Sequence, residues 1–453
     1  MRIVQITAGA GGRICGSCLH DNALVRSLRR RGRDAILVPA YVPTTTDEEN
    51  VAESRIVCGG VNVWLQEHVP LFRHTPWWFD RLLDRLLDSR GLLEWLSSRT
   101  GGTKPADVAG LTVSTLRGEA GHQRKEVEKL ARWLARDVRP DIVQLSNVLL
   151  VGLARRVKEA TGAKVVCSLS GEDIFIEQIP EPHYTEVRSL LRERSADIDH
   201  FVALNRYFAD FMRDYLDVPA EKISVVPHGI DLEGFPAQPP DLVARRASRP
   251  GKFVIGALAR ACPEKGLEQA VRALAIVART HDVELIAAGA TIPAEEPYLR
   301  RCHAVAAELG VADRFRWLGQ IDRPGKLRLL DSIDVFAMPT IHPEAKGLPV
   351  IEAMAAGVPV VAPAHGAFPE LLAGLAGGEP AGILHAPADP EDHARAIVEL
   401  LDDEVRAARL GRRGREIVRE RHTFDRMAAG HEAIYESSSG KGLSSSRPVS
   451  VTR

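Results

Sequence analysis

Two spacings of apolar residues alternate along the chain. Short apolar runs occur at 2–6, 35–39, 141–144, 164–168, 200–204 and 223–226, each too short for a helix of ordinary length. Between the first two, residues 21–31 carry apolar positions at helical spacing. Strand and helix signals taken in turn predict a parallel sheet with helices on both faces. A stretch rich in proline and arginine, 236–250, interrupts the pattern, which restarts at 253–258 and continues near 283–287, 314–318, 335–338 and 358–362. The expected architecture is α/β, with two doubly wound domains of roughly 200 residues each facing one another across a cleft. The boundaries read as 1–235 for the first domain, 236–250 for a linker and 251–420 for the second. A C-terminal helix at 421–436 is expected to pack back on the first domain, and the serine-rich tail 437–453 to be disordered.

The segment 41–137 fits this scheme poorly, because its strand signals are weak. It reads as a helical insertion at about 60–135. Within it, 77–96 is apolar at helical spacing with Asp and Arg between, as in an inserted helical cap with one packed face. The sharper alternative is a helix that binds an acceptor or touches a membrane. Its mixed charge argues against the membrane version.

Composition narrows the function classes. Lys plus Arg number 59 and Asp plus Glu 60, a net charge of −1, so nothing points to a nucleic-acid partner, and peripheral membrane contact has no support. No apolar run approaches the ~18 residues of a membrane-spanning helix. The N-terminus reads as a strand and a turn, not as a signal peptide. Six cysteines in 453 residues do not suggest a disulfide framework, and a cytoplasmic location is expected.

Candidate chemistry concentrates in residues 342–361, which run from a strand end through a loop with Glu344 and Gly347 into a helix that begins near Leu348 and contains Glu352. A loop in that place lies at the carboxyl end of a parallel strand, where open α/β sheets bind ligands. Its amides sit at a helix N-terminus and favour anionic groups, while Glu352, one turn in, suits a pair of sugar hydroxyls. This block resembles the signature of glycosyltransferase family 4, enzymes of the GT-B fold with two Rossmann-like domains. That signature has two glutamates separated by seven residues, followed by an Ala-Met-Ala-x-Gly-x-Pro-Val run. The resemblance implies that Glu344 contacts the transferred sugar and Glu352 the nucleotide ribose, with the backbone of Gly347 and Leu348 close to the sugar or phosphates.

A second signal, 256–266, follows the first strand of the second half and contains Arg260, Lys265 and Gly266. The family has an arginine and a Lys-Gly pair at this turn. Two fixed cations there would stabilise the charge that builds on a departing diphosphate. A third, the glycine turn with Gly11 and Gly12, follows the first strand. A dinucleotide fingerprint would need glycine where Ile14 stands and an acid after 35–39, so a nicotinamide dehydrogenase is disfavoured. In the family this turn faces the diphosphate.

Several positions depart from the pattern. A family His-Gly-x-Asp stretch matches Ser170-Gly171-Glu172-Asp173, so Ser170 replaces a histidine near the sugar, and a serine cannot shuttle protons near neutral pH. Ser170 and Asp173 are kept as donor-binding candidates. His20 and His183 are possible substitutes. His228 stands where the family has asparagine and reads as a structural turn residue. Cys15 and Cys18 at the start of the first helix suit a tight turn near the ligand, with a redox pair as the alternative. Cys58, Cys167, Cys262 and Cys302 stand alone, and no metal site is expected.

The resemblance therefore implies a hexosyltransferase. Its co-substrate would be a nucleotide diphosphate sugar clamped between the domains, with the acceptor on the first domain. No cofactor or metal is required. Configuration would be retained, by front-face attack with the leaving phosphate taking the acceptor proton. Glu344, Arg260 and Lys265 are the catalytic candidates. The rivals are a GT-B nucleotide-sugar epimerase, a phosphorylase, which should show a pyridoxal-phosphate lysine context that is missing here, and a non-catalytic sugar-nucleotide-binding protein.

Overall fold

The computed structural model describes residues 1–9, 16–46, 49–69, 105–238, 242–373 and 378–439. Gly11, Gly12, Cys15, the 77–96 segment and the tail from 440 onward lie outside the described residues.

Two six-stranded sheets, parallel throughout, form the two halves. The first comprises β1 (Arg2–Thr7), β2 (Asp34–Pro39), β3 (Ile142–Leu145), β4 (Lys164–Leu169), β5 (His200–Ala203) and β6 (Ile223–Val225), in the order β2-β1-β3-β4-β5-β6. Ile3 stands opposite Ala35 on one side and Ile142 on the other. These central strands are buried on both faces, which explains why they read as continuous apolar runs and not as alternating ones.

The second sheet comprises β7 (Lys252–Leu258), β8 (Asp282–Ala288), β9 (Phe315–Trp317), β10 (Val335–Ala337), β11 (Val360–Pro363) and β12 (Gly382–His385), in the order β12-β11-β10-β7-β8-β9. In each sheet the direction of winding reverses beside the first strand, between β1 and β3 and between β7 and β10. That reversal opens the crevice in which doubly wound sheets take ligands.

Two elements differ from the sequence reading. The edge strand β12 was not anticipated. Its sequence, Gly382-Ile383-Leu384-His385, offers only two apolar side chains in a row, too short a run to stand out. The segment read as a linker contains a helix, Leu242–Ser248, whose Arg246 donates to the carbonyls of Leu400 and Leu401 at 2.9 and 3.2 Å.

The chain crosses between the halves twice, near Ile230 and near Thr423, and the crossings are bonded to each other by the Ile230 amide donating to the His422 carbonyl at 2.9 Å. After the second crossing, helix Phe424–Ser438 lies against helix Gly16–Arg30 of the first half. There Arg31 and Arg33 both donate to Glu432, and the Tyr435 hydroxyl donates to Gln144 on β3. A buried histidine cluster fills this junction: the His20 ring meets those of His228 and His431 edge-on, with ring centres 4.7 and 5.9 Å apart. Within the first half, helices Gly60–His68, Ala109–Arg117 and Arg124–Trp133 form the described part of the insertion. Among the described residues, no helix is long and apolar enough to cross a membrane.

Candidate functional site

β7 and β10 are neighbours, so the turn after β7 and the loop after β10 emerge side by side at the carboxyl edge of the second sheet. Close backbone packing joins them. Gly266 has φ of 67°, and a Cβ there would stand 2.0 Å from the Pro339 carbonyl oxygen. Only glycine tolerates both the left-handed backbone and that approach. The amides of Ile341 and His342 then donate to the Glu264 carbonyl at 3.0 and 3.1 Å. This scaffold brings Lys265 to Glu344, and the ammonium donates to Glu344 Oε1. The glutamate loop ends in Gly347, at φ 63°, which opens helix Leu348–Ala356. A Cβ on Gly347 would press within 2.5 Å of Leu371 Cδ1.

Arg260 does not join the Lys265–Glu344 pair. Its guanidinium, half exposed, meets Glu295 at 2.8 Å in the turn after β8. Glu352 is also held, because Lys326 Nζ donates to its Oε1 at 2.6 Å. Beyond the Arg260 turn, the ends of β8 and β9 border an open depression of about 460 Å³, lined by Thr291, Leu299, His303, Trp317 and Gln320 among others.

The first half reaches the glutamate loop directly. Lys346 Nζ donates to Ser17 Oγ at 2.8 Å, and a Cβ on Gly16 would lie 3.7 Å from both Lys346 Nζ and Leu348 Cδ1. The start of the first helix therefore faces the turn at Gly347. Asn205 Nδ2 donates to the Ala345 carbonyl at 2.6 Å. A Cβ on Gly171 would meet the Ala345 methyl at 3.2 Å.

Ser170 has no hydroxyl proton to offer a ligand in this arrangement, since its Oγ donates to the Ser146 carbonyl at 3.1 Å. The acid beside it, Glu172, is buried. Burial pushes its carboxyl up to about 7, against the pull of the Ser170 and Val148 amides that donate to it at 2.7 and 3.2 Å. Asp173 is raised as well, by burial, with the nearby His342 acting in the other direction.

His20 and His183 are the sequence's candidate substitutes for the missing histidine. His20 belongs to the histidine cluster where the chain crosses between the halves, and His183 opens helix His183–Ser195. The imidazole that the structure brings to this stretch is His342, whose Nε2 is 3.6 Å from Asp173 Oδ2 and which comes from the opposite half. His365 lies on the same side, and burial holds its pKa down.

Sequence reading thus named Lys265, Glu344, Glu352 and Arg260. It missed Glu295 and Lys326, which pair with Arg260 and Glu352, and the roles of Lys346, Asn205 and His342, which join the glutamate loop to the first half. One signal was available. Asn205 stands immediately before helix Arg206–Leu216, a position where asparagine caps helices.

Comparison with known proteins agrees with this architecture. The family model described as glycosyltransferase family 4 matches residues 22–233, and that described as glycosyl transferases group 1 matches residues 241–417. The D-inositol 3-phosphate glycosyltransferase of Segniliparus rotundus is 31% identical over 321 residues, covering 68% of this chain and 66% of that protein. Sucrose-phosphate synthase from Thermosynechococcus elongatus superposes with a TM-score of 0.70 at 18% identity, covering 98% of this chain and all (100%) of that one, which shows the shared fold. The GDP-mannose-dependent alpha-(1-6)-phosphatidylinositol monomannoside mannosyltransferase of Mycolicibacterium smegmatis is 31% identical over 277 residues, 59% of this chain and 68% of that protein. With both halves matched and this likeness to an enzyme of known activity, the chain belongs to glycosyltransferase family 4, as a hexosyltransferase of the two-domain GT-B fold.

Proposed function

We propose that the protein transfers a hexose, with retention of configuration, from a nucleoside diphosphate hexose to an acceptor hydroxyl on a glycan, a lipid or a small molecule. The observation that carries this reading is the meeting of Lys265 and Glu344 at the winding reversal of the second sheet, directly opposite the start of the first helix. A cation and an acid fixed side by side there suit a diphosphate on one side and sugar hydroxyls on the other.

In the reaction the bond from the sugar C1 to the phosphate oxygen breaks, and a bond from C1 to the acceptor oxygen forms on the same face. The acceptor proton passes to the departing phosphate oxygen. Lys265 and Arg260 carry the charge that develops on the diphosphate, so that side chains supply what a metal would otherwise bring. Glu344 orients the transferred sugar, Glu352 accepts from the ribose hydroxyls, and the Gly347 and Leu348 backbone approaches the sugar or phosphates. Gly11 and Gly12 would complete the cradle from the first domain, with Ser170 and Asp173 near the sugar. The nucleoside extends toward the depression at β8 and β9. Closure of the halves excludes water and limits donor hydrolysis.

Relatives named for GDP-mannose and for an inositol phosphate make GDP-mannose the first donor to try, alongside UDP-glucose and ADP-glucose, with inositol-containing compounds in the first acceptor pool. A thermal-shift screen identifies the donor, since a ligand at 100 times its Kd stabilises by about 2.7 kcal/mol. Incubation with acceptors and NMR of the product then reads the anomeric configuration. A transferred hexose of unchanged configuration supports the proposal. An epimerised nucleotide sugar, an inverted product, or donor binding with no transfer to any acceptor refutes it.

A further inference from the structure

Asn205 joins β5 to helix Arg206–Leu216, and the two atoms of its amide serve different domains. The residue is 3% exposed. Its Oδ1 accepts from the Phe208 amide at 2.9 Å and so caps the helix of its own half. Its Nδ2 donates to the Ala345 carbonyl at 2.6 Å, in the loop of the other half that carries Glu344. The two partners settle which way the amide points, since an N–H requires the oxygen and a carbonyl requires the nitrogen.

The second half answers at the same helix end. Glu370 accepts from the amides of Arg206 and Tyr207 at 2.8 and 3.4 Å. A carboxylate there satisfies donors that a helix leaves open and faces the positive end of its dipole. One helix start is therefore capped from both sides of the cleft. The glutamate loop is likewise held from both sides: the Ala367 amide of its own half donates to the Glu344 carbonyl at 2.8 Å, while Asn205 of the other half holds the next carbonyl along.

We propose that Asn205 is a positioning residue that makes the placement of the Glu344 loop depend on closure of the cleft. The proposal rests on the transfer reaction given above. When the halves separate, the Ala345 carbonyl loses its donor and the loop is anchored from one side alone. When they close, the same amide that caps helix Arg206–Leu216 sets the loop in its working position. A donor bound to the second half alone is thereby kept from reacting until the first half, and the acceptor with it, has arrived.

The test separates capping from positioning. Asn205→Asp keeps the capping oxygen but replaces the donor to Ala345 with an acceptor, whereas Asn205→Ala removes both functions. Hydrogen exchange, measured without any substrate, reads the coupling directly. In Asn205→Asp the amides of 341–348 should exchange at least threefold faster, with 206–216 as protected as in the wild type. In turnover with GDP-mannose, or with whichever donor the screen selects, kcat should fall by roughly tenfold to a hundredfold while the donor KM stays within about threefold. Wild-type exchange at 341–348 in Asn205→Asp, a wild-type kcat, or deprotection of 206–216 equal to that in Asn205→Ala would each overturn the assignment. If the wild type transfers nothing, the exchange comparison still decides whether Asn205 couples the loop to closure, and only the proposed reaction fails.

Discussion

The two halves of the molecule build their cleft faces differently. In the second half the chemistry lies in side chains fixed by ion pairs: Lys265 to Glu344, Arg260 to Glu295, and Lys326 to Glu352. In the first half the described groups facing them are chiefly neutral hydrogen-bonding ones, such as the Asn205 amide and the Ser17 hydroxyl, and its acids near the site are pushed toward the neutral form by burial. On the proposed reading, cations released from those pairs would meet the diphosphate on one face, while the other face docks against it and sets its loops.

If that division is right, removing a cation should cost far more than removing a first-half hydroxyl. Lys265→Ala, or Arg260→Ala, should lower kcat about 100- to 1,000-fold in steady-state transfer, the range found when one preorganised electrostatic contact is lost. A loss below tenfold in both variants would remove the asymmetry.

Stability should separate the halves next, through pH. Glu172 has its folded pKa raised to about 7 from 4.5, so its contribution is present below pH 4.5 and is lost as pH rises through 7. His422, where the chain crosses between the halves, has its folded pKa lowered by burial to about 4 from 6.5, and its neutral ring donates from Nδ1 to the His228 carbonyl at 2.9 Å. Its contribution is present above pH 6.5 and is lost as pH falls toward 4. Each window is worth on the order of 3 kcal/mol, at about 1.4 kcal/mol per pKa unit. Urea unfolding of Glu172→Gln across pH 4.5–7 should show a flatter profile than the wild type. His422→Asn should flatten the opposite limb, between pH 6.5 and 4. An unchanged slope in either variant would contradict the assigned burial effect.

Smaller effects sharpen the contrast. Glu352→Gln should raise the donor KM about tenfold with kcat within a factor of about three, the mark of a contact made equally in the ground and transition states. Ser170→Ala should change kcat less than about threefold, because its hydroxyl is already spent on the Ser146 carbonyl. A Ser170→Ala loss as large as that of Lys265→Ala would mean that the first half takes a direct part in the chemistry.

Legibility in the sequence follows the same division. The candidate loop of the second half could be placed because its signal is local: a strand end, a glycine at φ 63° and a helix start lie within a few residues of Glu344. The strands could be read because burial on both faces writes them as apolar runs. What could not be read depends on which distant segments meet. The sheet order that sets β7 beside β10, the pairing of Arg260 with Glu295 35 positions along, and the reach of Asn205 to Ala345 140 positions away leave no periodic trace. β12 was lost because only Ile383 and Leu384 form its apolar run between a glycine and a histidine, and helix Leu242–Ser248 because prolines flank a short, arginine-rich segment.

The central claim is that Arg260 and Lys265 form a site for a diphosphate. Isothermal titration with GDP and GMP, and with UDP and UMP, tests it most directly. The account predicts that, for whichever base binds, the diphosphate binds at least tenfold more tightly than the monophosphate, and that this preference disappears in the Arg260→Ala/Lys265→Ala double variant. Equal affinity for mono- and diphosphates in the wild type, or an undiminished preference in the double variant, would contradict it.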